Sequence, residues 1–168
     1  AFESAADHLV VDAVNGVRDI FVRDRFVGTV TRASIHESGA QGLADASQPA
    51  ISPDGRFIAF VTSDNMVVSP TGAGLKVYLR DLVLGTTTLV STNIFGSVPF
   101  DPCFTPAVSE GGRYVAFLSR AGDLISPPIP SGTLNVFRAD MTQPPATRMT
   151  LVSHFDGAAA PASADCDR

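Results

Sequence analysis

The chain has no tryptophan, two cysteines, two tyrosines and only 17% charged residues among its 168. Each shortage excludes something. Twelve Lys and Arg stand against seventeen Asp and Glu, for a net charge of −5, and the basic residues are scattered. The basic patch of a nucleic-acid binder is therefore missing. No apolar run approaches the roughly 18 residues of a membrane-spanning helix. No stretch carries the i, i+3, i+4, i+7 stripe of an amphipathic helix, and twelve Pro with fourteen Gly interrupt most windows. There is no Gly-x-Ser-x-Gly elbow, no His-Glu-x-x-His and no phosphate-cradling glycine loop; Gly72-Ala-Gly74 lacks the third glycine. These shortages point to an all-β chain without a recognisable catalytic motif.

What the chain does have is a repeat. Pro49-Ala-Ile-Ser-Pro-Asp-Gly-Arg56 is followed by Phe57-Ile-Ala-Phe60, and Pro106-Ala-Val-Ser-Glu-Gly-Gly-Arg113 by Tyr114-Val-Ala-Phe117. A worn third copy, Pro161-Ala-Ser-Ala-Asp-Cys-Asp-Arg168, closes the sequence, and Ala1-Phe2-Glu3-Ser4 opens it as the tail of such a copy. The arginines lie 57 and 55 residues apart. A repeat of that length means blades or solenoid coils. The units run over residues 1–47, 48–105 and 106–160 of one domain, with 161–168 starting another.

Each unit reads as four strands. In the middle one, Ala50–Ser52 is a short strand, and Pro53-Asp54-Gly55 is a turn in which Pro presets φ and Gly takes a positive one. Arg56–Thr62, Lys76–Leu82 and the β-branched Thr86–Thr92 follow. The second and third strands are apolar on both faces and must be covered on both. Four-stranded antiparallel sheets stacked face to face around an axis do that. The expectation is a β-propeller segment of about three blades, a partial ring or half of a six-bladed one, since closed propellers use about 4 to 8 blades. It is either a fragment of a longer chain, the preferred reading, or a subunit whose copies complete a ring. The absence of an initiator Met and of a signal-like start fits a processed or cut terminus.

Pro-x-x-Ser-Pro-Asp-Gly-Arg-x-Ile-Ala-Phe, with an aromatic strand ending in Arg-Asp, resembles the WD40-like PD40 repeat of TolB-type β-propellers. The match is close over 48–62. It departs where Glu110-Gly111 replaces Pro-Asp and where Asp167 replaces the turn glycine. The resemblance implies a bacterial envelope or extracellular setting, a scaffold for protein contacts and no common catalytic residues. A non-enzymatic, cofactor-free scaffold is the expected function. Its rivals are the propeller of a larger prolyl-oligopeptidase-like hydrolase and an extracellular glycan-binding or structural module. The lack of Trp, with Tyr78 and Tyr114 on strands expected to be buried, weakens the glycan reading.

Functional residues tend to sit on loops over a rigid scaffold. The connections Glu3–Arg18, Thr62–Leu75 and Leu118–Leu134 are long and share one blade position, so all three emerge on one face. Leu9-Val10, Val67-Val68 and Leu124-Ile125 recur in register and are expected to pack inward. The partner-binding candidates are Asp12, Asn15, Arg18, Ser69, Thr71, Lys76, Ser126 and Ser131. Asp12, Asn15 and Asp19 surround Gly16 and could hold calcium. The other units lack the set, and a turn stabilised by its own Asn and Asp is the favoured reading. His36 and His154 fall in matching loops with Asn93 between them, in non-adjacent units, which disfavours a shared metal; His8 has no evident partner. The recurrent Arg-Asp pairs, Arg23-Asp24 and Arg80-Asp81, are expected to end a strand and cap its turn. Cys103 and Cys166 allow one disulfide, but superposed units place them at opposite strand ends, about 26 Å apart at ~3.3 Å per residue. A bridge needs Cα atoms within about 7 Å.

Overall fold

The structure, a computed structural model, describes residues 1–11 and 15–153. The third copy of the motif, His154, Asp12 and Cys166 lie outside the described residues. Eleven strands form three antiparallel sheets: β1 (Phe2–Ser4), β2 (Asp19–Arg23) and β3 (Val30–Arg32); β4 (Ala46–Ile51), β5 (Phe57–Thr62), β6 (Lys76–Asp81) and β7 (Thr86–Leu89); β8 (Cys103–Val108), β9 (Tyr114–Ser119), β10 (Asn135–Asp140) and β11 (Met149–Leu151). Within each sheet the strands neighbour one another in chain order. β4 packs against β1 and β2, and β8 packs against β4, β5 and β6. The fold is all-β, three blade-like meanders stacked as a partial propeller.

Strand periodicity sends alternate residues to opposite faces. On one face of each sheet an aromatic pair stacks: Phe2 on Phe21 at 5.8 Å, Phe60 on Tyr78 at 5.9 Å and Phe117 on Phe137 at 6.1 Å. Phe60 and Tyr78 are buried with Ile20 and Ala33 of the preceding sheet and connection and with Ala46 of their own sheet. Phe117 and Phe137 are buried with Ala59, Val61, Val77 and Leu79 of the middle sheet. The middle sheet is thus covered on both faces, as its doubly apolar strands require. In β9 and β10 burial alternates instead.

The first strand of each full blade is longer than its sequence signal. β4 and β8 begin four residues before their recurrent prolines' successors and pass through a bulge, where Gln48 (φ 56°) and Thr105 (φ 54°) adopt left-handed backbone. Non-glycine residues hold that conformation only when the surroundings fix it. The preceding blade does so. The Gln48 amide donates to Glu3 Oε2 at 3.1 Å, and the Thr105 amide to Gln48 Oε1 at 2.6 Å. The fourth strand is shorter than expected, because beyond Leu89 and Leu151 the ladder is continued by side chains. Ser91 and Ser153 hydroxyls accept from the Val77 and Val136 amides, each at 3.0 Å.

The substituted turn keeps its hydrogen bonds, although Gly111 takes a left-handed φ of 67° where Asp54 does not. Ser52 and Ser109 hydroxyls accept from the Phe57 and Tyr114 amides at 2.9 and 3.0 Å, and the Gly55 and Gly112 amides donate back to the carbonyls of the same serines. Gly112 (φ 67°) has a second constraint: a Cβ there would lie 2.5 Å from the Phe57 ring. Glu110-Gly111 in place of Pro-Asp leaves these bonds intact, since the serine and the final glycine carry them.

The repeat arginines have carboxylate partners on the strand beside them. Arg56 donates through Nε and Nη2 to Asp81 at 2.9 and 2.6 Å, and Arg113 likewise to Asp140 at 3.4 and 3.1 Å. Asp81 also caps the following turn, accepting from the Val83 and Leu84 amides, as Asp24 does from Phe26 and Val27. Arg80 turns instead to the Thr87 hydroxyl. The Arg56 bond, aided by the turn amides and opposed by burial, holds the Asp81 carboxyl below its ordinary 3.8; Arg113, with Thr142, lowers Asp140 in the same way. A carboxyl depressed in the folded state contributes stability that is present above the unfolded pKa and lost as pH falls through the folded one. The stability gap between the unaltered chain and Asp81→Asn should therefore be open at about pH 6 and narrow as the pH falls below the ordinary carboxyl range in urea unfolding. A gap that stays constant as the pH falls would contradict this pairing.

Candidate functional site

The β1–β2, β5–β6 and β9–β10 connections emerge at the same end of their sheets, together with the blade-to-blade links 33–45 and 90–102. The links are bonded to the loop of the next blade. Glu37 N donates to Met66 O at 2.9 Å, the Val68 amide to Glu37 Oε1 at 2.5 Å and the Leu43 amide to Asp64 Oδ2 at 2.5 Å. One blade further on, Ile94 N donates to Asp123 O at 3.1 Å and Asn93 Nδ2 to Asp123 Oδ2 at 2.9 Å. Asn93 also accepts from the Phe95 and Ser97 amides, while His36 at the matching place accepts from the Ser38 amide through Nδ1. These residues shape turns.

The structure redistributes the candidate residues. Ser69, Thr71 and Ser126 are exposed on the loop face, as is Ser131, whose hydroxyl accepts from the Gly122 amide. Arg18 is half-exposed and tied to the blade junction, 3.3 Å from Glu3 and 3.8 Å from Asp45. Lys76 requires a correction: it is fully buried, not a surface contact. Its Nζ donates to the carbonyls of Ser63, Gly72 and Gly74 at 2.8, 2.7 and 3.1 Å, so it closes the 63–75 loop on itself. Burial pushes its pKa below the usual lysine value, against the pull of Asp64.

Asn15 and Asp19 do meet. Asn15 Nδ2 donates to Asp19 Oδ2 and to Gly42 O, each at 3.0 Å. Asp19 is buried, accepts from the Ser34 hydroxyl at 2.6 Å and lies 3.5 Å from Arg32 Nε. Its oxygens face three donors, the environment of a structural turn rather than of a cation shell. No group of three or more His, Cys, Asp or Glu is arranged for a metal among the described residues. The Cys103 thiol is free and buried, and burial pushes its pKa up to about 12.

The recurrent apolar pairs divide. Val67 and Leu124 are buried, Leu9, Val10 and Ile125 are partly so, and Val68 is exposed. Val68 joins Val11, Leu43, Phe95 and Phe100, each between 73% and 97% exposed, on the same face. Scattered exposed hydrophobics are ordinary, and the opposite end carries Phe26, Val27, Val83 and Leu84, between 67% and 100% exposed, on the β2–β3 and β6–β7 turns. Sequence reasoning chose the polar loop residues and passed over the apolar ones on the loop face. The available signal was two phenylalanines within six residues of a link, Phe95 and Phe100.

No family model and no curated protein matches the chain. Among solved structures the chain is similar to TolB from Acinetobacter baumannii, with 16% identity and a TM-score of 0.47 over 84% of this chain and 27% of that one. The chain thus spans about a quarter of the length of the structure it matches. By its own sheet order, register and packing it is a β-propeller segment.

Proposed function

We propose that this chain is part of a non-catalytic β-propeller scaffold that binds a protein partner through its loop face, in the bacterial envelope or outside the cell. The observation that carries the reading is the set of exposed apolar side chains, Phe95 and Phe100 foremost, on links fixed by hydrogen bonds to the next blade. A face already held in shape loses little freedom on binding, which favours affinity. The envelope setting rests on the resemblance of residues 48–62 to PD40 repeats. Further blades, from the rest of a longer chain or from a second copy, are the partners for the outer sheets.

The double variant Phe95→Ser, Phe100→Ser tests the face. Both side chains are exposed, so the fold should be kept, with a stability change within about 0.5 kcal/mol. A binding protein cross-linked to and identified on the unaltered chain should be lost from the variant, by tenfold or more in affinity when the pair is reconstituted. Undiminished binding by the folded variant would remove the loop face from the account.

A further inference from the structure

A cavity of about 310 Å³ opens between the second and third sheets, lined by Leu79, Thr86, Thr88, Met141, Thr142 and Arg148 among others. A hollow of about 220 Å³ lies on the other side of the same arginine, bounded by Glu37, Leu89, Thr92 and Pro145, with Glu37 engaged by the Val68 amide. Arg148 stands between the two and is only 6% exposed. Its Nη1 donates to Leu89 O at 3.0 Å and lies 3.8 Å from the Met141 sulfur. Its Nε is buried without an acceptor.

A buried cation without a counter-charge is costly, which is why buried charges are normally paired. Three other arginines have carboxylates beside them, whereas the buried Lys76 is held by backbone carbonyls. Arg56 and Arg113 spend the Nε–Nη2 edge on Asp81 and Asp140, and Arg32 lies 3.5 Å from Asp19. Arg148 presents its Nε edge to no carboxylate among the described residues. Asp81 and Arg113 also line the cavity, but each is held by its own partner. Within the larger cavity the two pairs cancel, and Arg148 leaves one positive charge in excess there. Around it are threonine hydroxyls from β7 and the β10–β11 connection, with Leu79 and Met141 as an apolar wall. This is the composition of a small-ligand site, apolar with a few convergent polar groups.

We infer that this interblade cavity binds a carboxylate carrying a short apolar chain, with Arg148 as the counter-ion. The site lies within the sheet stack and does not depend on the loop face. A free short-chain acid and the C-terminus of a peptide share that chemistry.

Thermal unfolding of the chain with butyrate, against butyramide at matched ionic strength, tests the charge. The tripeptide Gly-Ala-Leu, with a free and with an amidated C-terminus, tests the source. At about a hundred times Kd, a bound acid should raise Tm by roughly 5–10 °C, and the amides should not. A response to the peptide acid at lower concentration than to butyrate assigns the site to a chain terminus; the reverse order assigns it to a free acid. Arg148→Met should abolish the response and, without ligand, should melt no lower than the unaltered chain, because it removes an unpaired buried cation. The acid-against-amide comparison needs no variant, so it stands even if that one fails to fold. Equal shifts with acid and amide, no shift with any acid, or a response retained in Arg148→Met would overturn the inference.

Discussion

Lys76→Ala should destabilise the chain by about 3–5 kcal/mol, because it removes a fully buried side chain and leaves three carbonyls without their donor. The Nζ group serves the carbonyls of Ser63, Gly72 and Gly74, which belong to both limbs of the β5–β6 loop and have converged on it. Without it, three carbonyls face an empty space. A buried acceptor left without a donor costs roughly 1–3 kcal/mol by itself. Lys76→Met separates the two parts of the effect, because it restores most of the volume and none of the hydrogen bonds. That variant should still lose about 2 kcal/mol or more. Because the loop is also bonded to the preceding link through Met66 and Val68, the loss should loosen the loop face as well. Urea unfolding of both variants provides the check. A Lys76→Met protein within about 0.5 kcal/mol of the unaltered chain would mean that the carbonyls find other donors.

The architecture was legible where local chemistry and repeat spacing agree. Pro49 to Phe60 announced a strand, a turn and a second strand, and β4, the Pro53–Gly55 turn and β5 lie there. β6 and β10 fall on the segments matched by their aromatic residues and terminal Asp. What escaped depends on contacts between segments. The bulges at Gln48 and Thr105 are held by side chains of the preceding blade, so nothing within the strand sequence marks them. Asp81 was assigned to the turn it caps, which it does cap, but its ionic partner Arg56 lies 25 residues back across the β5–β6 ladder. Lys76 looked like a surface residue because lysines usually are; its burial follows from three carbonyls converging, which no residue pattern encodes. Among the site candidates, Asn15 and Asp19 meet in a hydrogen bond, and the apolar residues of the links escaped notice because they do not recur.

The central claim is that each sheet hides the aromatic face of the next, and one matched series tests it. Phe2, Phe60 and Phe117 occupy the same strand position and stack on the same partner position, yet Phe2 is 37% exposed while Phe60 and Phe117 are at 0% and 1%. The aromatic stacking is thus common to the three, while coverage by a neighbouring sheet differs and β1 also lacks the second flanking strand that β5 and β9 have. Truncation of a covered phenylalanine leaves a cavity and should cost about 3–5 kcal/mol. Phe60→Ala and Phe117→Ala should each fall in that range, measured by urea unfolding of the three variants under one set of conditions. Phe2→Ala should cost roughly a third as much, since part of its ring is already in water. Three equal losses, or a Phe117→Ala variant that loses less than Phe2→Ala, would contradict the stacked-sheet arrangement.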